Sequence, residues 1–169
     1  MEFRILTAED APEWWRLRLE SLEGDPEAFS SSAEDHRTLG LDEVRKRLGI
    51  GTSDSFVVGA FEDGRLVGMS GFHRETGLKS QHKGRVWGVY VTPTKRGTGI
   101  GRKLLQMILE RVEQNESVEQ ILISYSTTQA AAGALYRSLG FEPFGREPRA
   151  LKVGGKFLDE EYMVLLLKR

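Results

Sequence analysis

The sequence contains no cysteine among its 169 residues. Disulfides, thiolate metal sites and a cysteine nucleophile are therefore excluded, and the chain is compatible with a reducing compartment. There is also no excess of charge of one sign, since 24 basic residues face 25 acidic ones, so the composition does not indicate a nucleic-acid binder or a membrane-surface protein. A chain of this length can bury a sizeable core, and we expect one domain over residues 1–169.

Long apolar runs are missing as well. The longest, Met163 to Leu167, cannot span a bilayer, and the early charges at Glu2, Arg4 and Glu9 argue against a secretory signal. These features predict a soluble cytoplasmic protein. The Met163–Leu167 run is still more apolar than a one-faced edge strand requires, so we expect a second subunit to cover part of it in a homodimer.

The stretch from Val86 to Leu105 joins an apolar strand to an amphipathic helix through a loop of basic and glycine residues. Glycines at 97, 99 and 101 allow positive φ and a close approach of the backbone to a ligand. The helix that follows adds free N–H groups and the positive end of its dipole. This combination is typical of an anion cradle and suits phosphate.

The spacing distinguishes three kinds of phosphate-binding loop. An ATP-binding P-loop needs Gly-Lys-Ser/Thr at its end, but Gly101 is followed by Arg102, Lys103 and Leu104. A dinucleotide fingerprint needs G-x-G-x-x-G directly after a strand, and the third interval is absent here. The sequence R-G-T-G-I-G at 96–101 instead resembles the R-x-x-G-x-G motif with which the GNAT superfamily of N-acetyltransferases binds the pyrophosphate of acetyl-coenzyme A.

The resemblance continues downstream, in A-L-Y-R-S-L-G-F at 134–141, and covers most of the chain from about Ser55. It implies an α/β fold with a mixed, mostly antiparallel sheet of six or seven strands, splayed between strands 4 and 5, with helices on both faces. The local sequence agrees with this fold: Ser55–Phe61 and Leu66–Phe72 are strand-like runs joined across Asp63-Gly64, a hairpin signal, and Gly154-Gly155 predicts a final hairpin. Gly88 within the fourth strand predicts a bulge.

The resemblance also implies which residues bind acetyl-coenzyme A. The cradle would be formed by residues 96–102, and the fourth strand and the start of a later helix would contact the pantetheine arm. The resulting set is Val89, Tyr90, Val91, Arg96, Gly97, Thr98, Gly99, Ile100, Gly101, Arg102 and Gln129. Gln129 departs from the family's usual asparagine, and Ser126-Thr127-Thr128 offers hydroxyl caps for its helix.

Tyr136 occupies the family's general-acid position and is the expected proton donor to the departing thiolate. The general base is not evident, because Arg85 to Val91 contains no carboxylate where many family members place a glutamate. Ordered water remains open as a route, as does a side chain such as Glu20, Glu34 or His73, whose positions the sequence does not fix. Other polar residues are candidates for other roles: Asp35 and His36, with Glu20 and Glu34, as acceptor contacts, His82 as a catalytic imidazole, and the acidic run Asp159-Glu160-Glu161 as a group that attracts the amine.

The sequence therefore predicts an N-acetyltransferase that passes acetyl from acetyl-coenzyme A directly to a primary amine, without a metal. The acceptor could be a small molecule or a protein amine. An alternative is a domain that binds acyl-coenzyme A as a sensor or scaffold without turnover, which the missing strand carboxylate keeps open. No nucleic acid and no membrane are expected as partners.

Overall fold

A seven-stranded mixed sheet forms the centre of the computed structural model, which describes residues 1–168. Its strands are β1 (Glu2–Ile5), β2 (Ser55–Glu62), β3 (Arg65–Arg74), β4 (Lys83–Val91), β5 (Gln120–Ser126), β6 (Glu142–Val153) and β7 (Lys156–Leu166). Their order across the sheet is β1-β2-β3-β4-β5-β7-β6. The pair β4 and β5 is parallel and the other pairs are antiparallel, so the predicted mixed sheet is confirmed.

Five α-helices within the described residues accompany the sheet: α1 (Ala11–Gly24), α2 (Ala33–Arg37), α3 (Leu41–Gly49), α4 (Ile100–Glu113) and α5 (Ala130–Ser138). Alternate residues of β2 point to opposite faces, as the strand period requires. Val57 and Phe61 join a cluster with α1 and α3, whereas Phe56 and Val58 join a second cluster with α4. Helices on both faces are thus confirmed. None of the helices in the described residues is long and apolar enough to cross a membrane.

Both predicted hairpin turns are present. Asp63 and Gly64 have φ of 50° and 78°, and Gly154 and Gly155 have φ of 55° and 78°. Positive φ at both central residues is the geometry that matches the twist of the flanking strands, and Asp-Gly and Gly-Gly adopt it readily. The second hairpin is longer than its sequence suggests, because β6 continues from Glu142 through two prolines with register shifts against β7.

The predicted bulge and splay lie in β4. Three steps of β4, from Tyr90 to Trp87, oppose two steps of β3, from Met69 to Gly71, so an extra residue is accommodated at Gly88 (φ 63°). On its other side β4 pairs with β5 only from Lys83 to Arg85. From Val86 onward the two strands diverge and leave a wedge between them.

The premise of the homodimer prediction is wrong. β7 is not an edge strand, because it lies between β5 and β6. Met163 is fully buried within this chain, and Leu165 packs against the cluster that includes α4. The apolar composition of the run is therefore explained largely by burial inside one molecule, although Leu166 remains 69% exposed.

Candidate functional site

A cleft of about 440 Å³ occupies the wedge between β4 and β5. It lies within the size range of small-molecule sites. Eleven of the twelve side chains or backbone segments predicted from the sequence line it: Val89, Tyr90, Val91, Arg96, Gly97, Gly99, Ile100, Gly101, Arg102, Gln129 and Tyr136. Thr98 does not, and its hydroxyl instead donates a hydrogen bond to the carbonyl oxygen of Lys95 (2.6 Å).

The glycine loop leaves open space where side chains would otherwise stand. Gly97 and Gly99 have φ of 74° and 86°, and a Cβ placed on either would have no atom within 4 Å. Gly99 is the N-cap of α4 and no side chain caps the helix. The N–H groups of the first turn therefore lack an acceptor within the helix, and they converge at the cleft with the positive end of the helix dipole. Gly101 differs, since it is helical and its Cβ position lies 3.5 Å from Leu135.

The two arginines of the loop have protein partners. Arg96 donates from Nε to the carbonyl oxygen of Val91 (2.9 Å) and pairs through Nη2 with the carboxylate of Asp25. Arg102 donates to the hydroxyl of Ser138 on α5 (2.6 Å). Both side chains remain substantially exposed, so they connect the loop to its neighbours while still contributing positive charge at the mouth of the cleft.

Two backbone segments of β4 point toward the cleft. The N–H of Thr92 donates to the carbonyl oxygen of Val67 in β3 (2.9 Å). Because successive residues of an antiparallel strand alternate their hydrogen-bonding direction, Val91 turns its N–H and C=O away from β3, and Val89 does the same. In the described part of the chain no strand covers this side of β4 beyond Arg85, so the N–H of Val91 and both backbone groups of Val89 are available to a ligand in the cleft. The carbonyl oxygen of Val91 already accepts one hydrogen bond, from Arg96.

Tyr136 lies at the inner end of the cleft, on α5. Its ring is 4% exposed and packs edge-on against Tyr125 (6.0 Å between centroids). Burial raises the pKa of its hydroxyl, with a smaller electrostatic contribution from Tyr125, so the phenol is protonated at neutral pH. Among the described residues its hydroxyl has no hydrogen-bond partner, which leaves the proton available for donation.

The beginning of α5 departs from the predicted capping. Its N-cap is Gln129, which makes no capping hydrogen bond with its side chain. The hydroxyls of Ser126 and Thr128 contact each other (3.1 Å) instead of the helix N–H groups. The expectation of hydroxyl caps is therefore wrong, and Gln129 projects at the edge of the cleft with its amide uncommitted to the helix.

A second cavity, of about 620 Å³, adjoins the first through Trp87, which lines both. It is enclosed by α1, α2, α3 and the β2–β3 hairpin, and it brings together three of the polar residues considered from the sequence: Asp35, His36 and His73. The pKa of His73 is lowered, mainly because the imidazole ring is buried, so the ring is neutral at pH 7.

The other candidates lie away from both cavities. Glu20 accepts hydrogen bonds from the hydroxyls of Tyr90 (3.1 Å) and Thr92 and pairs with Arg16. Glu34 is exposed on α2. The backbone carbonyl of His82 accepts from the N–H of Glu119 (2.7 Å), so this segment ties β4 to β5.

Residues of the acidic run in β7 form hydrogen bonds and ion pairs with neighbouring residues of the protein. Asp159 accepts from the N–H of Arg149 (2.9 Å). Glu161 binds the hydroxyl of Tyr125 (2.7 Å) and pairs with Arg137 and Arg146. Neither cavity is lined by this run, and Glu161 is the member of the run with ion pairs among the described residues.

Several lining residues were not found by sequence reasoning. Asp25 and Phe29 reach the first cleft from the segment after α1, and Arg18 reaches the second from α1. The sequence carried one signal for Arg18, a charged residue at the apolar spacing of an amphipathic helix. Within the described residues, no group of three or more acidic or histidine side chains is placed to hold a metal ion.

Comparison with known proteins identifies the family to which this chain belongs. Residues 12–141 match the sequence model of the acetyltransferase (GNAT) family. The L-methionine sulfoximine/L-methionine sulfone acetyltransferase of Pseudomonas paraeruginosa is 35% identical over 79 residues, covering 47% of this chain and 45% of the relative. The N-alpha-acetyltransferase RimI of Mycobacterium tuberculosis is 36% identical over 98 residues, covering 58% and 59%. The matched part of the chain thus spans about half the length of these curated relatives.

Solved structures show the same fold over nearly the whole chain. An acetyltransferase of the GNAT family from Streptococcus pneumoniae superposes with a TM-score of 0.89 at 23% identity, covering 98% of this chain and 99% of that one. A phosphinothricin acetyltransferase from Sinorhizobium meliloti, solved in complex with AcCoA, has a TM-score of 0.83 at 21% identity, covering 98% and 88%.

Proposed function

Because the chain belongs to the acetyltransferase (GNAT) family, we propose that it is an N-acetyltransferase that passes the acetyl group of acetyl-coenzyme A directly to a primary amine. The observation that carries the proposal is the uncapped N-terminus of α4, which opens with its glycine loop into the wedge between β4 and β5. We further propose that residues 1–169 act as one domain, since both apolar clusters are built on the same sheet.

The chain fits acetyl-coenzyme A at three points. The N–H groups of the loop and the first turn of α4 would bind the pyrophosphate, where the open space at Gly97 and Gly99 admits it. Arg96 and Arg102 would add charge at the same end. Val89 and Val91 would pair through their backbone with the pantetheine amides, much as a neighbouring strand would. The donor supplies the activated acetyl group, and the chain orients it.

The transfer forms a C–N bond and breaks the C–S bond of the thioester. In this proposal the N–H of Val91 stabilises the developing oxyanion, and Tyr136 donates its proton to the departing thiolate. The raised pKa of Tyr136 keeps the phenol protonated until the thiolate forms. A thiol with a pKa of about 8.5 leaves readily as the thiolate, so the tyrosine contributes only a modest factor to the rate.

The attacking amine must lose a proton, and we propose that water carries it. Among the described residues that line the cleft, Asp25 is the one carboxylate, and it is paired with Arg96. His73 lines the adjoining cavity and is neutral at pH 7, so it is suited to receive the proton through ordered water. Glu20, which is bonded to two hydroxyls and an arginine, is less suited to that task.

Amine-dependent release of coenzyme A tests the proposal. The purified chain is incubated with acetyl-coenzyme A and a panel of amines, and both the free thiol and the N-acetyl product are measured. An acetyltransferase produces them in equal amounts. The alternative, a sensor or scaffold, would bind acetyl-coenzyme A in calorimetry but release no thiol with any amine. The absence of binding would contradict both functions.

Location and assembly belong to the same proposal. The lack of cysteine supports a cytoplasmic location. A homodimer remains a prediction, now based on the exposure of Phe144 (59%) and Leu166 (69%) instead of on an edge position of β7. Contiguous exposed apolar patches mark surfaces that contact another subunit, and we propose that these two side chains, on the neighbouring strands β6 and β7, belong to such a patch.

A further inference from the structure

The second cavity contains a buried cation without a counter-charge. Arg18 lies on α1, is 8% exposed, and lines the cavity. Its Nη1 is fully buried and has no hydrogen-bond partner. Burial lowers the pKa of its guanidinium to about 10, with no carboxylate acting against the shift, so the group is still charged at neutral pH. An unpaired buried charge is costly, and such groups are normally paired or serve a ligand.

A second unpartnered donor stands on the same face of the same helix. Trp14 precedes Arg18 by four residues, which places the two side chains one above the other. The indole Nε1 of Trp14 is buried without a partner, and its ring lines the same cavity. An indole N–H can only donate. Two residues of the cavity wall therefore carry buried donors for which the described residues supply no acceptor.

Arg18 lies where the second cavity meets the cleft. Its guanidinium stacks on Phe29, 4.8 Å from the ring centroid, and Phe29 lines the cleft. On the other side its Nη1 is 3.6 Å from the position that a Cβ of Gly88 would occupy, at the bulge of β4. Gly88 also lines the cleft. A group bound by Arg18 would thus lie beside the strand that presents the acyl group in the proposed function.

From these contacts we propose that the second cavity is the acceptor site, and that Arg18 and Trp14 bind a carboxylate of the acceptor, which is a small amino acid or amino-acid analogue. This inference rests on the proposed acetyl transfer. The planar guanidinium matches a carboxylate with two parallel hydrogen bonds. In an α-amino acid the amine is attached to the carbon next to the carboxylate, so binding at Arg18 would place it next to the bulge of β4.

The other residues that line the cavity indicate which side chain of the acceptor would fit there. Its walls include apolar residues from α3 and β2, among them Val44, Leu48 and Val57, so an apolar or weakly polar side chain fits there. Asp35 also lines the cavity but makes no ion pair with Arg18 among the described residues. A polyamine, which has no anionic group, would leave Arg18 unpaired and bring a further positive charge beside it.

Matched acceptors test the inference. Initial rates are measured with L-leucine and L-methionine sulfone, and with their amides and decarboxylated amines, which keep the side chain and the nucleophile but lose the carboxylate. We expect kcat/KM to fall about 10- to 100-fold without the carboxylate, since a charge-assisted hydrogen bond is lost. Comparable rates with the decarboxylated amines, or exclusive turnover of polyamines or peptide N-termini, would overturn the inference and leave acetyl transfer intact.

Variants separate binding from structure. Arg18→Met should lower kcat/KM for the carboxylated acceptor to the level of its decarboxylated amine, while affinity for acetyl-coenzyme A stays unchanged and Tm rises, because an unpaired buried charge is removed. Trp14→Phe should give a smaller loss. Arg45→Met, at an exposed arginine of α3, is the matched control. A fall in Tm for Arg18→Met with unchanged acceptor preference would assign Arg18 a structural role and overturn the inference.

Binding without catalysis completes the test. 4-Methylpentanoate, which is leucine without its amine, should bind to the complex with coenzyme A in calorimetry, and Arg18→Met should abolish that binding. If it does not bind and no amino acid is turned over, the inference fails. The proposed function is judged separately, by coenzyme A release with the remaining amines.

Discussion

The hydroxyl of Tyr136 is the residue-scale feature with the most direct link to chemistry. Tyr136→Phe removes one oxygen and almost no volume, so the fold and the affinity for acetyl-coenzyme A should be preserved. We expect the single-turnover rate to fall by a factor near or below ~10², because a thiolate leaves well without help. Tyr162→Phe, at a tyrosine bonded to Glu147 in the terminal hairpin, is the control. A Tyr136→Phe enzyme as fast as the parent would remove the tyrosine from the mechanism.

Asp10 links stability to pH at the same scale. Its carboxylate accepts two hydrogen bonds from Arg4 (both 2.7 Å) and one from the N–H of Thr7 (2.8 Å). The bonds from Arg4 are the main reason that the pKa of Asp10 is lowered, while burial opposes the shift. The native state therefore holds this proton less tightly than the unfolded chain does. Its stabilising contribution is complete above the unfolded pKa of about 3.9 and is lost as pH falls toward the lower, native value.

Asp10→Asn should reduce the free energy of unfolding at pH 7 by about 1–2 kcal/mol, a figure discounted because the Arg4 side chain is partly exposed. The difference from the parent should shrink as pH falls below about 4. Urea unfolding at several pH values measures this, with Asp42→Asn, at an exposed position of α3, as the control. A difference that stays constant across the acidic range would show that the carboxylate charge is not its source.

At the scale of elements, the glycine loop before α4 is the structure that defines the proposed donor site. Gly99 has φ of 86° and no atom within 4 Å of its Cβ position. Gly99→Val would place a branched side chain in the space proposed for acetyl-coenzyme A, and it would strain the backbone by about 1–2 kcal/mol. We expect acetyl-coenzyme A affinity to fall at least about tenfold, corresponding to ~1.4 kcal/mol, in a protein that still folds.

The matched control is Gly145→Val in β6, where the Cβ position is equally open but φ is not positive. Calorimetry and thermal unfolding of both variants make the comparison. If a folded Gly99→Val variant bound acetyl-coenzyme A as tightly as the parent, the loop would not be the pyrophosphate site.

The strands and loops also show how much of the fold could be predicted from the sequence. The Asp63-Gly64 hairpin, the glycine loop and the bulge at Gly88 were predictable because each depends on local backbone geometry that few residues allow. The interior position of β7 and the length of β6 were not, since strand order and strand length depend on long-range pairing.

The candidate site also has a part that the sequence predicted, the cleft, and a part that it did not, the second cavity. Most of the predicted cleft residues lie within 89–102, around one motif, and Gln129 and Tyr136 come from the later block of the family resemblance, so eleven of the twelve predicted positions meet there. The second cavity combines α1, α2, α3 and three strands, so its lining residues come from distant parts of the sequence. Arg18 was therefore visible only as a charge on an apolar helix face, and its lack of a partner required the packed structure.

At the scale of the whole molecule, assembly is the open structural prediction. A homodimer would cover Phe144 on the edge strand β6 and Leu166 at the end of β7, which one chain leaves exposed. We expect light scattering at micromolar concentration to give twice the monomer mass of 19.0 kDa. Phe144→Ser should shift the population toward monomer, whereas a parent protein that scatters only as monomer would end the dimer prediction.

The central claim, that the wedge between β4 and β5 receives acetyl-coenzyme A, is tested most directly by a crystal structure with coenzyme A bound. The account predicts the pyrophosphate on the N–H groups at the start of α4, the pantetheine arm against Val89 and Val91, and the sulfur within hydrogen-bonding reach of the Tyr136 hydroxyl. Coenzyme A bound outside this wedge, or with its pyrophosphate away from Gly97 and Gly99, would contradict the account.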